Sequence, residues 1–218
     1  DGQSLVGTMK FSAINPSLLA RQSTELAALE ALDSEIQGQV RFSGWVDGRM
    51  DELDITAAGS AGRLFLPRAD PIEFDALTLD MQVARPNGDA TLSRLMIDLG
   101  QGSTAEVTGK ARFGGKEGLE VQVDGVLSDF SMDRLTSYWP STLSLDARRW
   151  VTRNIPEGGV PRATISVQAS APGEDMSQLK VTEIGGEIQL QDALVDYFRP
   201  LSPARGVDGI ATFGADWF

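Results

Sequence analysis

The sequence of 218 residues contains neither histidine nor cysteine. Without histidine, the chain lacks the usual general base, the partner of serine and cysteine nucleophiles, and the commonest zinc ligand. Without cysteine, it cannot form a disulfide, a thiolate nucleophile or an iron–sulfur site. A chain free of thiols also suits an oxidising compartment such as the bacterial periplasm. We therefore expect no enzyme, no cofactor and no metal site.

Basic charge and long apolar runs are also scarce. The chain has 19 Lys and Arg against 31 Asp and Glu, a formal net charge of -12. This charge repels the phosphate backbone, so nucleic acid is not an expected partner. No run approaches the roughly 18 apolar residues of a membrane-spanning helix. Because the chain starts at Asp1 and its last residues resemble an unfinished strand, we expect a segment of a longer protein whose membrane anchor lies elsewhere.

What the sequence does contain is a period-two alternation of apolar and polar residues. Such alternation predicts strands with one apolar and one polar face. Turn dipeptides such as Asn87-Gly88 and Asp124-Gly125 separate the runs. The pattern predicts a mainly β fold, an antiparallel up-and-down curled sheet that forms a groove or half-barrel. The predicted strands are residues 37–47, 51–57, 61–66, 72–84, 89–99, 104–113, 117–127, 160–171, 178–184, 186–191, 193–198 and 206–216.

Two short helices are predicted to interrupt the strands, at about residues 16–33 and 144–154. Asn15-Pro16 provides an N-cap followed by proline at the first helical position, and Ser144 is a second N-cap. In the second helix, the apolar face contains Ala147, Trp150, Val151 and Ile155. We treat residues 1–218 as a single groove-forming segment, with 1–130 and 131–218 as an alternative subdivision.

A loose repetition accompanies the strands. Glycine precedes an alternating apolar run at Gly38, Gly109, Gly186 and Gly209. This repetition is typical of a sheet built from repeated hairpin units.

Three arginines form the polar face of the second helix: Arg148, Arg149 and Arg153. Guanidinium groups match phosphate geometry, so one interpretation is an anion site, for example for a lipid phosphate. The other, which we favour, is a solvated helix face.

Acidic residues provide two weaker candidates. The segment 47–54 is acidic enough for calcium, but Gly48 stands at its second position rather than the sixth, which favours a hairpin turn. Glu117 and Glu120 illustrate a pair for glycoside hydrolysis, which needs a definite separation across a cleft. No supporting motif accompanies either candidate, so no catalytic or metal-binding residue is predicted.

The apolar stripe has two interpretations. It is either an ordinary core, which composition alone favours, or the lining of a groove that holds an apolar ligand. Its members are Leu77, Leu79, Met81, Val83, Leu119, Val121, Val123, Ile165, Val167, Ile188 and Leu190.

The stretch 138–159 resembles a signature of a known family. It opens with Tyr138-Trp139-Pro140, continues into a short helix that contains Trp150, and ends at Gly158-Gly159. This arrangement is similar to that of the large AsmA-like proteins of the YhdP type.

The resemblance extends beyond this signature. The segments 185–203 and 206–213 are similar to the same proteins, as is the helix rich in Ala and Leu that leads to Gly38. It therefore covers nearly the whole chain. The 138–159 stretch is fairly specific, whereas the alternating strands are common to any antiparallel meander.

The resemblance implies a function for the stripe. These proteins are anchored in the inner membrane of Gram-negative bacteria, and their periplasmic part is a long curled β-sheet with a hydrophobic groove. They are implicated in moving phospholipid between the inner and outer membranes and in outer-membrane integrity. The chain would then be a central lipid-conduit segment, in contact with phospholipid acyl chains and with neighbouring segments of its own long chain.

The same resemblance implies structural roles for the signature residues. The family has no catalytic residues, so Tyr138, Trp139, Pro140, Trp150 and Gly159 are interpreted as fold-forming, with Trp150 pointing at the sheet. The rival from another class is a scaffold or partner-docking β-domain with a closed core and no lipid. In isolation we also expect an artefactual homodimer, because the sheet would have exposed edges.

Overall fold

The computed structural model describes residues 4–20, 29–45, 50–65, 70–84, 88–115, 118–138, 145–173, 178–198 and 200–214. The strands are β1 (Ser4–Ile14), β2 (Leu32–Asp33), β3 (Ile36–Trp45), β4 (Met50–Gly59), β5 (Gly62–Leu64), β6 (Ile72–Phe74), β7 (Ala76–Ala84), β8 (Asp89–Asp98), β9 (Thr104–Gly115), β10 (Gly118–Ser131), β11 (Glu157–Ala171), β12 (Lys180–Val195) and β13 (Ala204–Gly214). The helices are α1 (Pro16–Ala20), α2 (Leu135–Tyr138) and α3 (Leu145–Asn154), and a 3₁₀ turn (Met132–Arg134) precedes α2.

Ten of these strands form one antiparallel sheet. Its spatial order is β1-β3-β4-β7-β8-β9-β10-β11-β12-β13, and β2, β5 and β6 form a separate three-stranded sheet. Within the described residues, β1 and β13 do not pair with each other, so the large sheet is open. The prediction of a mainly β, up-and-down, curled antiparallel sheet with short helices is confirmed.

The strand register separates two faces of the large sheet. Residues directly opposite each other in an antiparallel ladder project to the same side. One face is apolar, as in the pairs Val40–Ile55, Met81–Leu92 and Val123–Val167. The other face is polar, as in the pairs Arg41–Asp54 and Gln122–Lys110. The period-two alternation therefore corresponds to a real division of the sheet.

Several predicted strand boundaries are wrong. The three strands predicted within 178–198 are one continuous strand, β12, with a register shift near Asp192, whose φ is 50°. The strand predicted at 72–84 divides into β6 and β7, which belong to different sheets. Asp124-Gly125 lies inside β10 rather than in a turn, because Gly125 sits opposite Ile165 and Val107 in the ladder.

The first predicted helix is also too long at its end. Helix α1 covers Pro16–Ala20, where the Asn15 side chain caps the Ser17 amide at 3.0 Å. Residues 21–28 lie outside the described residues. Leu32–Asp33, predicted to be helical, form β2 because they pair with β5. The second helix begins at Leu145 and ends at Asn154, as predicted to within one residue.

Candidate functional site

The candidate site is the apolar face of the ten-stranded sheet, which we call the trough. Its side chains form four rows that cross the strands. From one end of the strands to the other, these are row a (Ile14, Ile36, Gly59, Leu77, Ile97, Ala105, Leu127, Ala163, Ile188, Ala211), row b (Phe11, Gly38, Ala57, Leu79, Leu95, Val107, Gly125, Ile165, Gly186, Phe213), row c (Met9, Val40, Ile55, Met81, Leu92, Gly109, Val123, Val167, Ile184) and row d (Gly7, Phe42, Leu53, Val83, Ala90, Ala111, Val121, Ala169, Val181).

The rows contain apolar residues and glycine alone. They keep this character across β-bulges, for example where Leu92 and Leu95 both face the trough although three positions separate them. With strands about 4.8 Å apart, nine spacings make the trough about 43 Å long from β1 to β13. Rows a to d span about 20 Å along the strands, at about 3.3 Å per residue.

One rim of the trough, along row a, is closed by two hydrophobic clusters. The helix cluster packs α3 and the 3₁₀ turn onto β10–β12, and its buried members are Phe130, Met132, Val151, Ile155, Val160 and Ala193. The small-sheet cluster packs the three-stranded sheet onto β7 and β8, and its buried members are Phe74, Leu77, Ile97 and Leu99. Leu127 and Tyr138 contact both clusters, so the two form one continuous closure.

Arg134 ties this closure to the turn between β8 and β9. Its guanidinium donates hydrogen bonds to the carbonyl oxygens of Leu99 (2.6 Å) and Gly100 (3.1 Å). Its charge also lies 5.1 Å from the ring centre of Tyr138. The Tyr138 hydroxyl donates to the same Leu99 oxygen at 3.1 Å, and its ring meets Phe130 edge-on at 5.5 Å. The polar groups under the helices are thus hydrogen-bonded, which burial in an apolar setting requires.

The rest of the trough remains accessible to solvent. The accessible surface of the chain is 13939 Å², whereas a compact monomer of 23.4 kDa exposes about 9,700 Å². Towards the sheet edges, Met9 is 59% exposed and Val181 is 61% exposed. The excess accessible surface is that of an open sheet with two faces. On its apolar face rows b to d are partly exposed, and contiguous exposed apolar surface marks a binding or association surface.

The structure brings together all eleven residues predicted to line a groove. They lie on the same face of β7, β10, β11 and β12. Nine of them are partly exposed: Leu79, Met81, Val83, Val121, Val123, Ile165, Val167, Ile188 and Leu190. Leu77 and Leu119 are 6% and 0% exposed, so these two side chains do not line accessible surface.

Only some of the signature residues take the positions that were expected of them. Tyr138 lies in the closure described above, and Trp139 and Pro140 lie outside the described residues. Trp150 is 47% exposed while its neighbour Val151 is 4% exposed, which corrects the expectation that Trp150 points at the sheet. The reason is helical phase: with α3 docked through Val151 and Ile155, position 150 turns towards solvent.

Of the two adjacent glycines Gly158 and Gly159, position 158 is the one where the structure requires glycine. A Cβ at Gly158 would lie 2.7 Å from Cα of Ala193, and the φ of Gly158 is +135°. A Cβ at Gly159 would meet only an oxygen of Gln191 at 3.7 Å. Gly158 therefore permits the close approach of β11 and β12, whereas Gly159, which was interpreted as fold-forming, has no comparable steric requirement.

The predicted stripe named residues of four strands only, and strand β1 was not predicted at all. Strand β1 places Met9 and Phe11 on the apolar face, opposite Val40 and Gly38 of β3. The signal was present as Leu5, Met9 and Phe11 at alternate positions, although Gly7 and the apolar Val6 weaken the pattern. A glycine at an apolar-face position does not shift the alternation, so the residues on either side of it still lie on the expected faces of the strand.

The structure places the described residues of the alternative candidates on strands β4 and β10 and on helix α3. Glu120 is exposed on β10, opposite Arg112, and Glu117 lies outside the described residues. Most of the 47–54 segment forms β4, and residues 47–49 also lie outside them. Arg149 and Arg153 are exposed on α3, and Arg148 donates to the Thr136 carbonyl oxygen at 3.3 Å.

The described ranges contain no cluster of three or more acidic side chains arranged to hold a metal ion. None of their helices is long and apolar enough to cross a membrane. In comparisons with known proteins, no family model, curated protein or solved structure matches the chain. The site is thus defined by its own geometry: an apolar trough about 43 Å long, closed along one rim.

Proposed function

We propose that the chain is a non-enzymatic lipid-conduit module whose trough cradles phospholipid acyl chains. The observation that carries the proposal is the unbroken apolar character of the four rows, of which rows a and b run from β1 to β13 and rows c and d from β1 to β12. In this proposal the chain belongs to a long AsmA-like protein of the periplasm, anchored in the inner membrane by a segment not present here. It carries phospholipid between inner and outer membranes and supports outer-membrane integrity.

The energetics favour acyl chains as the ligand. Removing each methylene from water stabilises the bound state by about 0.8 kcal/mol. The rows offer no polar side chain that would fix a headgroup at one position. Each step along a row therefore meets apolar side chains or glycine, and a bound chain can move without crossing a polar barrier.

The open edges of the sheet fit a longer conduit. β1 and β13 each have one neighbour in the ten-stranded sheet, so each has a backbone edge able to pair with another strand. In the proposal, neighbouring segments of the same long chain occupy these edges and extend the trough. The resemblance of residues 138–159 to AsmA-like proteins supports the same arrangement.

The alternative function is a scaffold or partner-docking β-domain with no lipid. The observation in its favour is the closure along row a, where α3 and the small sheet form a genuine core. A scaffold needs no accessible apolar surface elsewhere, however, and rows b to d are partly exposed over most strands.

The test is native mass spectrometry with lipid extraction on the protein purified from bacterial periplasm or membranes. The informative variant is Val167→Asp, in row c, and its matched control is Gln168→Asp, one residue along β11 on the polar face. We expect wild type and Gln168→Asp to carry phospholipid and Val167→Asp to lose it. An aspartate in the trough must be desolvated by the acyl chain.

A lipid-free wild type with full thermal stability would overturn the conduit proposal in favour of the scaffold. If Val167→Asp fails to fold, Val123→Thr, which adds a hydroxyl at nearly constant shape, replaces it. Equal lipid content in the trough variant and its polar-face control would also contradict the proposal, because the lipid would then bind elsewhere.

A further inference from the structure

Phenylalanine rings at both ends of the trough lie over glycines of the neighbouring strand. A Cβ built on Gly7 would lie 2.8 Å from Cε1 of Phe42, and its three nearest atoms all belong to that ring. A Cβ on Gly38 would lie 3.0 Å from Cζ of Phe11. At the opposite edge, a Cβ on Gly186 would lie 2.7 Å from Cε1 of Phe213. At Gly7 a side chain would meet the ring alone. At Gly38 and Gly186 it would meet the ring and also the backbone of the strand on the other side, at Cα of Ala57 (2.9 Å) and the carbonyl oxygen of Thr164.

A short sequence unit produces this arrangement. β1 contains Gly7-Thr-Met-Lys-Phe11 and β3 contains Gly38-Gln-Val-Arg-Phe42, so each strand has glycine and phenylalanine four residues apart on one face. Because the strands are antiparallel, each phenylalanine faces the other strand's glycine.

The last two strands repeat the arrangement with one change. Gly186 of β12 faces Phe213, and Gly209 of β13 faces Leu190 instead of a phenylalanine. A Cβ built on Gly209 would meet no atom within 4 Å. Gly209 therefore shares the face and the edge position of the other glycines but has no ring above it.

A ring that lies over glycine has two effects on an apolar surface. It covers peptide groups that glycine leaves bare, as aromatic residues do for glycines near sheet edges. It also lies along the sheet, so that the ring adds little height above the strand. If a methyl group occupied position 7, Phe42 would have to move. Leu53 occupies the position on its other side, so the ring would rise into the trough.

We propose that the glycine–phenylalanine pairs keep the rings flat against the strands at both ends of the trough, so that acyl chains pass the edges of the sheet. We call the free height above the strands at these positions the clearance. This inference rests on the proposed function for its ligand, but the clearance itself is a property of the chain. The residues that determine it are Gly7 with Phe42, Gly38 with Phe11, and Gly186 with Phe213.

The experiment compares Gly7→Ala with Gly209→Ala, which adds the same methyl group to the same face of the opposite edge strand. The probe is a phosphatidylcholine with a fluorescent acyl chain. We expect Gly7→Ala to weaken its binding about tenfold, equivalent to lost contact for one or two methylenes. Gly209→Ala should change the affinity less than about twofold. Adding Phe42→Leu to Gly7→Ala should restore binding.

A second readout measures clearance without lipid. Because the chain has no cysteine, Val40→Cys, in row c beside Phe42, gives a single reactive thiol. Gly7→Ala should slow its reaction with a bulky maleimide several-fold relative to a small one, and Gly209→Ala should not.

The outcomes separate the two proposals. If wild type binds no lipid but Gly7→Ala still slows the bulky maleimide, the clearance role stands and the lipid function fails. If wild type binds the probe and Gly7→Ala changes neither affinity nor thiol reactivity, the clearance role is overturned. The same follows if Phe42→Leu does not rescue binding by a folded double variant.

Discussion

Arg134 links the closure of the trough to the turn between β8 and β9. Its guanidinium reaches the carbonyl oxygens of Leu99 and Gly100, which are 35 and 34 positions away in the sequence. Charge-assisted hydrogen bonds are roughly twice as strong as neutral ones. A single side chain thus holds the 3₁₀ turn and α2 against the turn between β8 and β9.

We predict that Arg134→Met lowers the free energy of unfolding by about 2–3 kcal/mol, because it removes charged hydrogen bonds from carbonyl groups next to the core. The matched control is Arg63→Met. Arg63 pairs with Asp33 at 2.9 Å, but its side chain is 52% exposed, so its loss should cost less than about 1 kcal/mol. Urea denaturation of both variants measures the difference. Equal losses would show that Arg134 does not hold the closure.

At the scale of single elements, helix α3 shows how docking decides which residues of an amphipathic helix are buried. Val151 and Ile155, four residues apart, are 4% and 8% exposed and pack against β10–β12. Trp150, adjacent in sequence and larger, remains 47% exposed. The apolar residues of α3 occupy a wider arc than the sheet covers. Composition alone therefore cannot show which of these residues are buried.

We predict that Val151→Ala costs about 2 kcal/mol of stability, since it leaves a cavity between α3 and the sheet. Trp150→Ala should cost less than Val151→Ala, although it removes a much larger side chain, because about half of that side chain already lies in water. Thermal and urea unfolding of the two variants provide the measurement. A larger loss from Trp150→Ala would mean that the helix docks through the other edge of its apolar arc.

For the molecule as a whole, the two edge strands are the places where association is most favoured. β1 and β13 expose Val6 (70%) and Ile210 (67%), which lie opposite Ser43 and Gln189 on the polar face. β13 has no lysine or proline, and β1 has Lys10 alone, so these long edge strands have little protection against pairing with other strands. We therefore expect the homodimer predicted from the sequence, if it forms, to use these two edges.

We predict that the isolated chain self-associates as its concentration rises, and that Val6→Lys combined with Ile210→Lys reduces this association. Lysine on an edge strand opposes strand pairing. Gln122→Lys on the central strand β10 adds one positive charge, as each edge substitution does singly, at a position that is already paired on both sides. Sedimentation velocity over a range of concentrations distinguishes the variants. Association that survives the double variant but disappears with detergent would point to the trough instead of the edges.

Much of the fold and part of the candidate site could be predicted from the sequence. The residues Leu79, Met81, Val121 and Val167 share one face because alternation in a strand is a local property of the backbone. The glycines at 38, 109, 186 and 209 were visible as a repetition, but their meaning required the register. Only the register shows that Phe42 lies over Gly7 and Phe213 over Gly186.

The sequence by itself determined the strand class, the division into apolar and polar faces, and the absence of histidine and cysteine chemistry, since these follow from composition and local periodicity. Only the tertiary structure decided which part of the apolar face is covered. Leu77 is buried under the small sheet, while Leu79, two residues later in β7, stays partly exposed. The reason is that alternation specifies which side of a strand is apolar, whereas covering that side depends on contacts between segments far apart in the chain.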